Sequence, residues 1–224
     1  MAYLRFVNAI PHATLRLNFI VDSLPLLTGV RYGEVTKYVQ IPLRPLRPLR
    51  PLRPLRPLRE NSIYFLSIQP VSATILLTIE EQLIPGKYYT VIASGNIATR
   101  QYQLRVYLDS NKCPRDCLSG FRFINSGAAL TNSNGVPFSV DVYFSRDTPG
   151  KSGKEVFDNI RFLQSDNVVV TANVHLVTVA IARTDIILIN SEDINFKPER
   201  NITVILTGIF NSEELPPRLI VIRD

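Results

Sequence analysis

Two stretches of the chain alternate apolar and polar residues with a period of two. Leu15-Arg-Leu-Asn-Phe-Ile-Val-Asp22 and Phe138-Ser-Val-Asp-Val-Tyr-Phe144 each set their apolar side chains on one face of an extended segment. Short apolar runs separated by turn residues fill most of the rest. Helical periodicity is nearly absent, and the best helical candidate, Lys154–Asn159, is short. The pattern predicts an all-β protein with six or seven short strands in each half, the signature of antiparallel β-sandwiches.

The two halves repeat one pattern. Tyr3-Leu-Arg-Phe-Val-Asn-Ala9 matches Gly120-Phe-Arg-Phe-Ile-Asn-Ser126, each with an Arg flanked by apolar residues and a closing Asn plus small residue. The two alternating stretches correspond in turn. Val30-Arg-Tyr32 lines up with Ile160-Arg-Phe162, and Ile63–Ile68 with Leu176–Ile181. Ile75–Ile79 lines up with Ile186–Ile189. Pro85-Gly-Lys-Tyr-Tyr-Thr-Val-Ile-Ala-Ser-Gly95 lines up with Pro198-Glu-Arg-Asn-Ile-Thr-Val-Ile-Leu-Thr-Gly208. An extra strand then ends each half, at Tyr102–Leu108 and Arg218–Ile222. The polar stretch 109–119 contains Pro114 and makes the natural boundary. The expected domains are 1–109 and 119–224, joined by a linker at 110–118.

Charge changes this picture at one place. The chain carries 25 Lys+Arg against 19 Asp+Glu, a net charge of +6. Residues 42–59 read Pro-Leu-Arg six times, and their arginines (Arg44, Arg47, Arg50, Arg53, Arg56 and Arg59) account for that entire excess. Outside the run the chain is neutral, so any polyanion contact must pass through it. Proline at every third residue favours polyproline II, which sets Leu, Arg and Pro on three separate edges. Fully extended, the run would reach ~56 Å, so between two strands of a hairpin it must fold back or loop out. It contains Pro-x-x-Pro-x-Arg, a form suited to SH3-type grooves, and its cations suit phosphate or anionic lipid. Its perfect repetition equally fits a slipped duplication tolerated in a surface loop.

Little else carries chemistry. Cys113 and Cys117 are too few for a disulfide framework or a structural zinc; they read first as free thiols in a linker, then as a small local disulfide loop, and last as a redox or metal pair. His12 falls in a loop after the first strand, and His175 in a strand as a packed or edge residue. Glu34, beside a bend at Gly33, is placed to pair with Lys37 or an arginine. Glu80-Glu81 and Glu213-Glu214 are adjacent pairs, which on a strand point to opposite faces. No nucleophile elbow, phosphate loop or His-Glu-x-x-His occurs. The expectation is a protein without catalytic residues, cofactor or metal. The chain opens on a strand-like pattern with neither a charged start nor an apolar core behind it, so the expected location is cytoplasmic.

These landmarks resemble the bacterial family known as domain of unknown function 4397, in two tandem copies. The first half keeps Leu4-Arg-Phe-Val-Asn-Ala-Ile-Pro11, Tyr32-Gly-Glu-Val-Thr-Lys-Tyr38 and Tyr89-Thr-Val-Ile-Ala-Ser-Gly95. The second keeps Val140-Asp-Val-Tyr143 and Thr203-Val-Ile-Leu-Thr-Gly208, but shows no Gly-Glu-Val-Thr element. The Pro-Leu-Arg run sits where the family has a Pro-Ala-Gly-Thr-Tyr turn. The resemblance implies tandem immunoglobulin-like sandwiches, often in envelope-associated proteins, and brings no catalytic residues. The functional expectation is a non-enzymatic structural or interaction module, associated with a bacterial envelope or spore layer. Its partner would be a protein or envelope component. The alternative is a protein that binds a polyanion or peptide partner through the arginine run.

Overall fold

The computed structural model describes residues 1–41, 62–71, 76–110, 114–146 and 150–223. The first eight strands are β1 (Ala2–Asn8), β2 (Arg16–Val21), β3 (Leu24–Arg31), β4 (Val39–Ile41), β5 (Ser62–Pro70), β6 (Leu77–Leu83), β7 (Tyr88–Asn96) and β8 (Gln101–Leu108). Eight more follow: β9 (Leu118–Asn125), β10 (Val140–Ser145), β11 (Lys154–Ile160), β12 (Ser165–Thr171), β13 (Val174–Ile181), β14 (Ile187–Asn195), β15 (Asn201–Thr207) and β16 (Arg218–Arg223). The fold is all-β and sandwich-like. Among the described residues no helix is long and apolar enough to cross a membrane.

The sequence repeat is a repeat of topology. β4-β1-β7-β8 form one sheet and β3-β2-β5-β6 another. The later strands give β12-β9-β15-β16 and β11-β10-β13-β14, the same two orders eight strands on. The chain divides into two compact units. One comprises Met1–Asn8, Thr14–Ala93 and Tyr102–Asp109; the other Ala9–Ala13, Ser94–Gln101 and Ser110–Asp224.

Alternation along the strands builds each core. In the first unit the rings of Phe6 and Phe19, from different sheets, lie 4.6 Å apart. In the second, Phe121 and Phe123 of β9 and Val204 and Leu206 of β15 join one cluster with Val140, Val142, Val177 and Val179 of the other sheet. Phe157 and Phe196 complete it. Central strands are buried almost throughout, as β7 and β15 show, whereas edge strand β6 alternates.

Several expectations are corrected. The sheets are not wholly antiparallel: β1 runs parallel to β7, pairing Tyr3–Asn8 with Tyr88–Ala93, and β9 runs parallel to β15. Parallel neighbours need a crossover, which the strands of the other sheet supply. Among the described residues each half has eight strands, not six or seven. Lys154–Asn159 is not helical but lies in β11, where pairing with β10 overrides a weak local pattern. Ile68 pairs with Phe19, as Val179 pairs with Val142, so the expected match of Ile63–Ile68 to Leu176–Ile181 is two residues out. A slip of two leaves every side chain on its expected face.

The Pro-Leu-Arg run and its six arginines lie outside the described residues. Its flanking strands β4 and β5 belong to different sheets, so they are not the two arms of a hairpin. Residues 42–61 take the place that residues 172–173 occupy between β12 and β13.

Candidate functional site

Several buried or half-buried polar side chains tether strands, and equivalent ones do so in both repeats. Arg5 Nε donates to Thr90 Oγ1 at 2.8 Å across the parallel pair β1/β7. Arg122 Nε donates to Thr203 Oγ1 at 3.1 Å across β9/β15. Asn8 Nδ2 donates to Val30 O and Asn125 Nδ2 to Ile160 O, both at 3.0 Å. These bonds join the two sheets of a sandwich. Asn18 Oδ1 accepts from Gly29 N at 3.0 Å, and Asp141 Oδ1 from Asn159 N at 2.9 Å.

Among the described residues Glu34 does not form the expected ion pair: its carboxylate accepts from the Arg31 amide at 2.9 Å. Gln164 Oε1 caps Arg161 N at 3.2 Å in the same way. Gly33 N donates to Asn8 O and Leu163 N to Asn125 O, with φ of 78° and 61°. Phe162-Leu163-Gln164 is therefore the second copy of the Gly-Glu element that its letters concealed. Leucine holds the left-handed turn at a cost of about 1–2 kcal/mol, which the bonded frame offsets.

The first unit adds a charge. Thr90 Oγ1 donates to Asp109, 2.9 Å from Oδ1 and 2.8 Å from Oδ2, and Tyr38 Oη donates to Asp109 Oδ2 at 2.9 Å. Arg5 Nη2 stands 3.7 Å from Asp109 Oδ1, and its guanidinium lies 4.7 Å from the Tyr38 ring centre. Arg5 and Asp109 are only 3% and 6% exposed. Tyr88 stacks on Tyr3 at 4.5 Å and meets the Tyr38 ring edge-on at 5.1 Å. Sequence reasoning noticed Arg5 as a repeat landmark but not Asp109, which falls just beyond β8.

The other residues singled out earlier are scattered. His175 is buried, its ring 5.3 Å from Phe144 and 5.4 Å from Phe196, with Nε2 3.1 Å from Thr171 O. It is a packed core residue, as expected. Glu80 and Glu81 face Phe65 and Tyr64 on opposite sides of β6. Cys117 is an exposed free thiol; Cys113 lies outside the described residues, and so does the proposed disulfide loop.

His12 helps line a cleft of about 320 Å³ in the second unit, with Pro11, Asn96, Ile97, Ala98, Ala129, Thr131, Ile209, Phe210 and Leu215. These residues follow the carboxyl ends of β1, β7, β9 and β15, so they are repeat-equivalent loops. Thr207 Oγ1 donates to Ala9 O at 2.7 Å, and the hydroxyls of Ser94 and Ser126 hydrogen-bond each other. In the repeat Ser94 matches Thr207 and Ala9 matches Ser126, so the two bonds are counterparts. A parallel bridge joins Ala129 to Ile209, and Ile209 N donates to Leu215 O at 2.8 Å. Gly208 permits this turn: its φ is 120°, and a Cβ there would stand 2.4 Å from Pro216 O.

A second cluster lies on β10 and β11. Carboxylate oxygens of Asp141, Glu155 and Asp158 sit within 4.8 Å of one another. Oxygen ligands of this kind suit a hard cation. Both Asp141 oxygens, however, already accept backbone amides, from Asn159 at 2.9 Å and Arg183 at 3.3 Å. Burial, then the charges of Asp141 and Glu155, push the Tyr143 phenol above its ordinary pKa.

No family model matches the chain, and no curated protein matches it. Among solved structures, a family-26 carbohydrate-binding module from Eubacterium rectale, crystallised with maltoheptaose, is 9% identical with a TM-score of 0.27, covering 97% of this chain and 95% of that one. The TIE protein of Bacillus anthracis is 8% identical with a TM-score of 0.26, covering 93% of this chain and 50% of that one. Overlaps this loose carry no inference about function.

Proposed function

We propose that the chain is a non-enzymatic structural or interaction module of two tandem immunoglobulin-like sandwiches, acting in a bacterial envelope or spore layer. The observation that supports this is the duplication of the tethers. Arg5–Thr90 and Arg122–Thr203, with Asn8–Val30 and Asn125–Ile160, use equivalent polar side chains to brace equivalent strands. Duplicated bracing of this kind gives a stiff scaffold that holds its loops for contact with a partner. The test is co-sedimentation of the full chain with purified bacterial envelope fragments. Saturable retention is expected; retention no greater than that of an unrelated β-sandwich protein overturns the reading.

The charge distribution supports a second reading, in which the Pro-Leu-Arg run contacts an anionic polymer. Residues 172–173 suffice for the same connection in the other repeat, so removing 43–57 is expected to leave the fold intact. Loss of heparin retention at low salt on that deletion would support the arm; equal retention would sink it.

A further inference from the structure

We propose that the cleft of the second unit binds a small neutral ligand with an apolar ring or short chain and a carbonyl acceptor of the amide type. Its volume, about 320 Å³, falls at the lower end of small-molecule pockets. Ile97, Ala129, Ile209, Phe210 and Leu215 supply apolar surface. Phe210 is held by an edge-on contact with Phe138 at 5.2 Å, which fixes that wall.

The polar groups define the rest of the ligand. Ala98 N donates to Asn96 Oδ1 at 3.0 Å, which identifies the other side-chain atom of Asn96 as its NH2. Asn96 is half-buried, and that NH2 has no partner among the described residues. The hydroxyl of half-buried Thr131 has none there either. Two unused hydrogen-bonding groups beside an apolar wall call for an acceptor attached to an apolar body. The lining holds no Asp, Glu, Lys or Arg, so an ionic ligand would lose its hydration without a fixed countercharge. Equivalent loops from both repeats form the cleft, and the Thr207–Ala9 and Ser94–Ser126 bonds tie together the chain segments from which those loops leave, which favours preorganisation.

This inference goes beyond the interaction-module reading, and its test is separate because it uses soluble protein alone. Benzamide is titrated into the full chain at about pH 8 and followed by NMR, with benzoate as a same-shaped anion. Benzamide is expected to saturate with a Kd in the low-millimolar range set by its few atoms, with benzoate weaker. Asn96→Asp keeps the acceptor for Ala98 and removes the NH2; Thr131→Val keeps shape and removes the hydroxyl. Each is expected to weaken benzamide roughly three- to tenfold while leaving the circular-dichroism melt in place. Three results would overturn the proposal: no saturation up to about 50 mM benzamide, benzoate binding as tightly, or benzamide affinity unchanged in both variants. The benzamide–benzoate comparison needs no variant, so a misfolded substitution does not blunt the test.

Discussion

Asp109→Ala tests the buried network of the first unit most directly. In the native chain the Asp109 carboxylate faces Arg5 at 3.7 Å and accepts from the Thr90 and Tyr38 hydroxyls. Truncation takes the neighbouring carboxylate from a guanidinium that is 3% exposed and removes the acceptor of two hydroxyls. An uncompensated buried charge costs about 3–5 kcal/mol. An orphaned buried hydroxyl costs about 1–3 kcal/mol, though the two losses overlap. Contact of Arg5 with the Tyr38 ring and with Thr90 retains part of the native environment. The expected net loss is therefore about 4 kcal/mol, which with an m-value near 2 kcal/mol/M lowers the urea midpoint by about 2 M. Arg5→Met with Asp109→Leu removes both charges together but leaves the Thr90 and Tyr38 hydroxyls without these partners, so it is expected to lose about 1–3 kcal/mol, less than the single variant. Unfolding is followed by tyrosine fluorescence and circular dichroism, since the chain has nine tyrosines and no tryptophan. A loss below about 1 kcal/mol for Asp109→Ala, or a double variant no more stable than the single, refutes the reasoning.

Asn125→Ala removes bonds to Phe138 O, Ile160 O and Gly127 N, and is expected to cost about 2–4 kcal/mol in urea unfolding. A cost under about 0.5 kcal/mol would show that these bonds do not brace the sheets. Gly208→Ala puts a Cβ 2.4 Å from Pro216 O at a φ of 120°. It is expected to cost more than about 2 kcal/mol in thermal or urea unfolding and to abolish benzamide binding, since residues 209–215 must move. Burial pushes the Glu192 carboxyl above its ordinary pKa, although Arg218 and Arg223 pull it down. A raised acid favours the folded state while protonated, and that stability is lost as pH rises through the raised pKa. Glu192→Gln is therefore expected to match wild type at low pH and become the more stable protein as pH rises above the ordinary carboxylate pKa, read from urea midpoints across a pH series; parallel pH curves would contradict this.

The repeat was legible in the letters because side-chain alternation reports which face of a strand is buried, whatever the partner strand. The same fact explains the two-residue error at Ile63–Ile68: a slip of two preserves every face, so only hydrogen-bonded register reveals it. Leu163 hid the second Gly-Glu turn because the sequence signal for a left-handed residue is glycine. In the folded chain the Asn125 carbonyl accepts from Leu163 N and Gln164 caps the turn at Arg161 N, so a leucine sits there instead.

The candidate site was less legible than the fold. His12 sits in the loop after β1, and nothing in the local sequence ties it to Thr131 or Phe210. Their meeting depends on β1, β7, β9 and β15, whose carboxyl ends carry loops far apart in the chain. By itself, the sequence determined the all-β class, the duplicated pattern and the confinement of net charge to residues 42–59. These follow from local periodicity and composition. Tertiary structure alone decided the parallel pairing of β1 with β7, the burial of Asp109 against Arg5 and the gathering of four loops around one cleft. Each of these depends on partners tens to hundreds of residues apart, which no local pattern encodes.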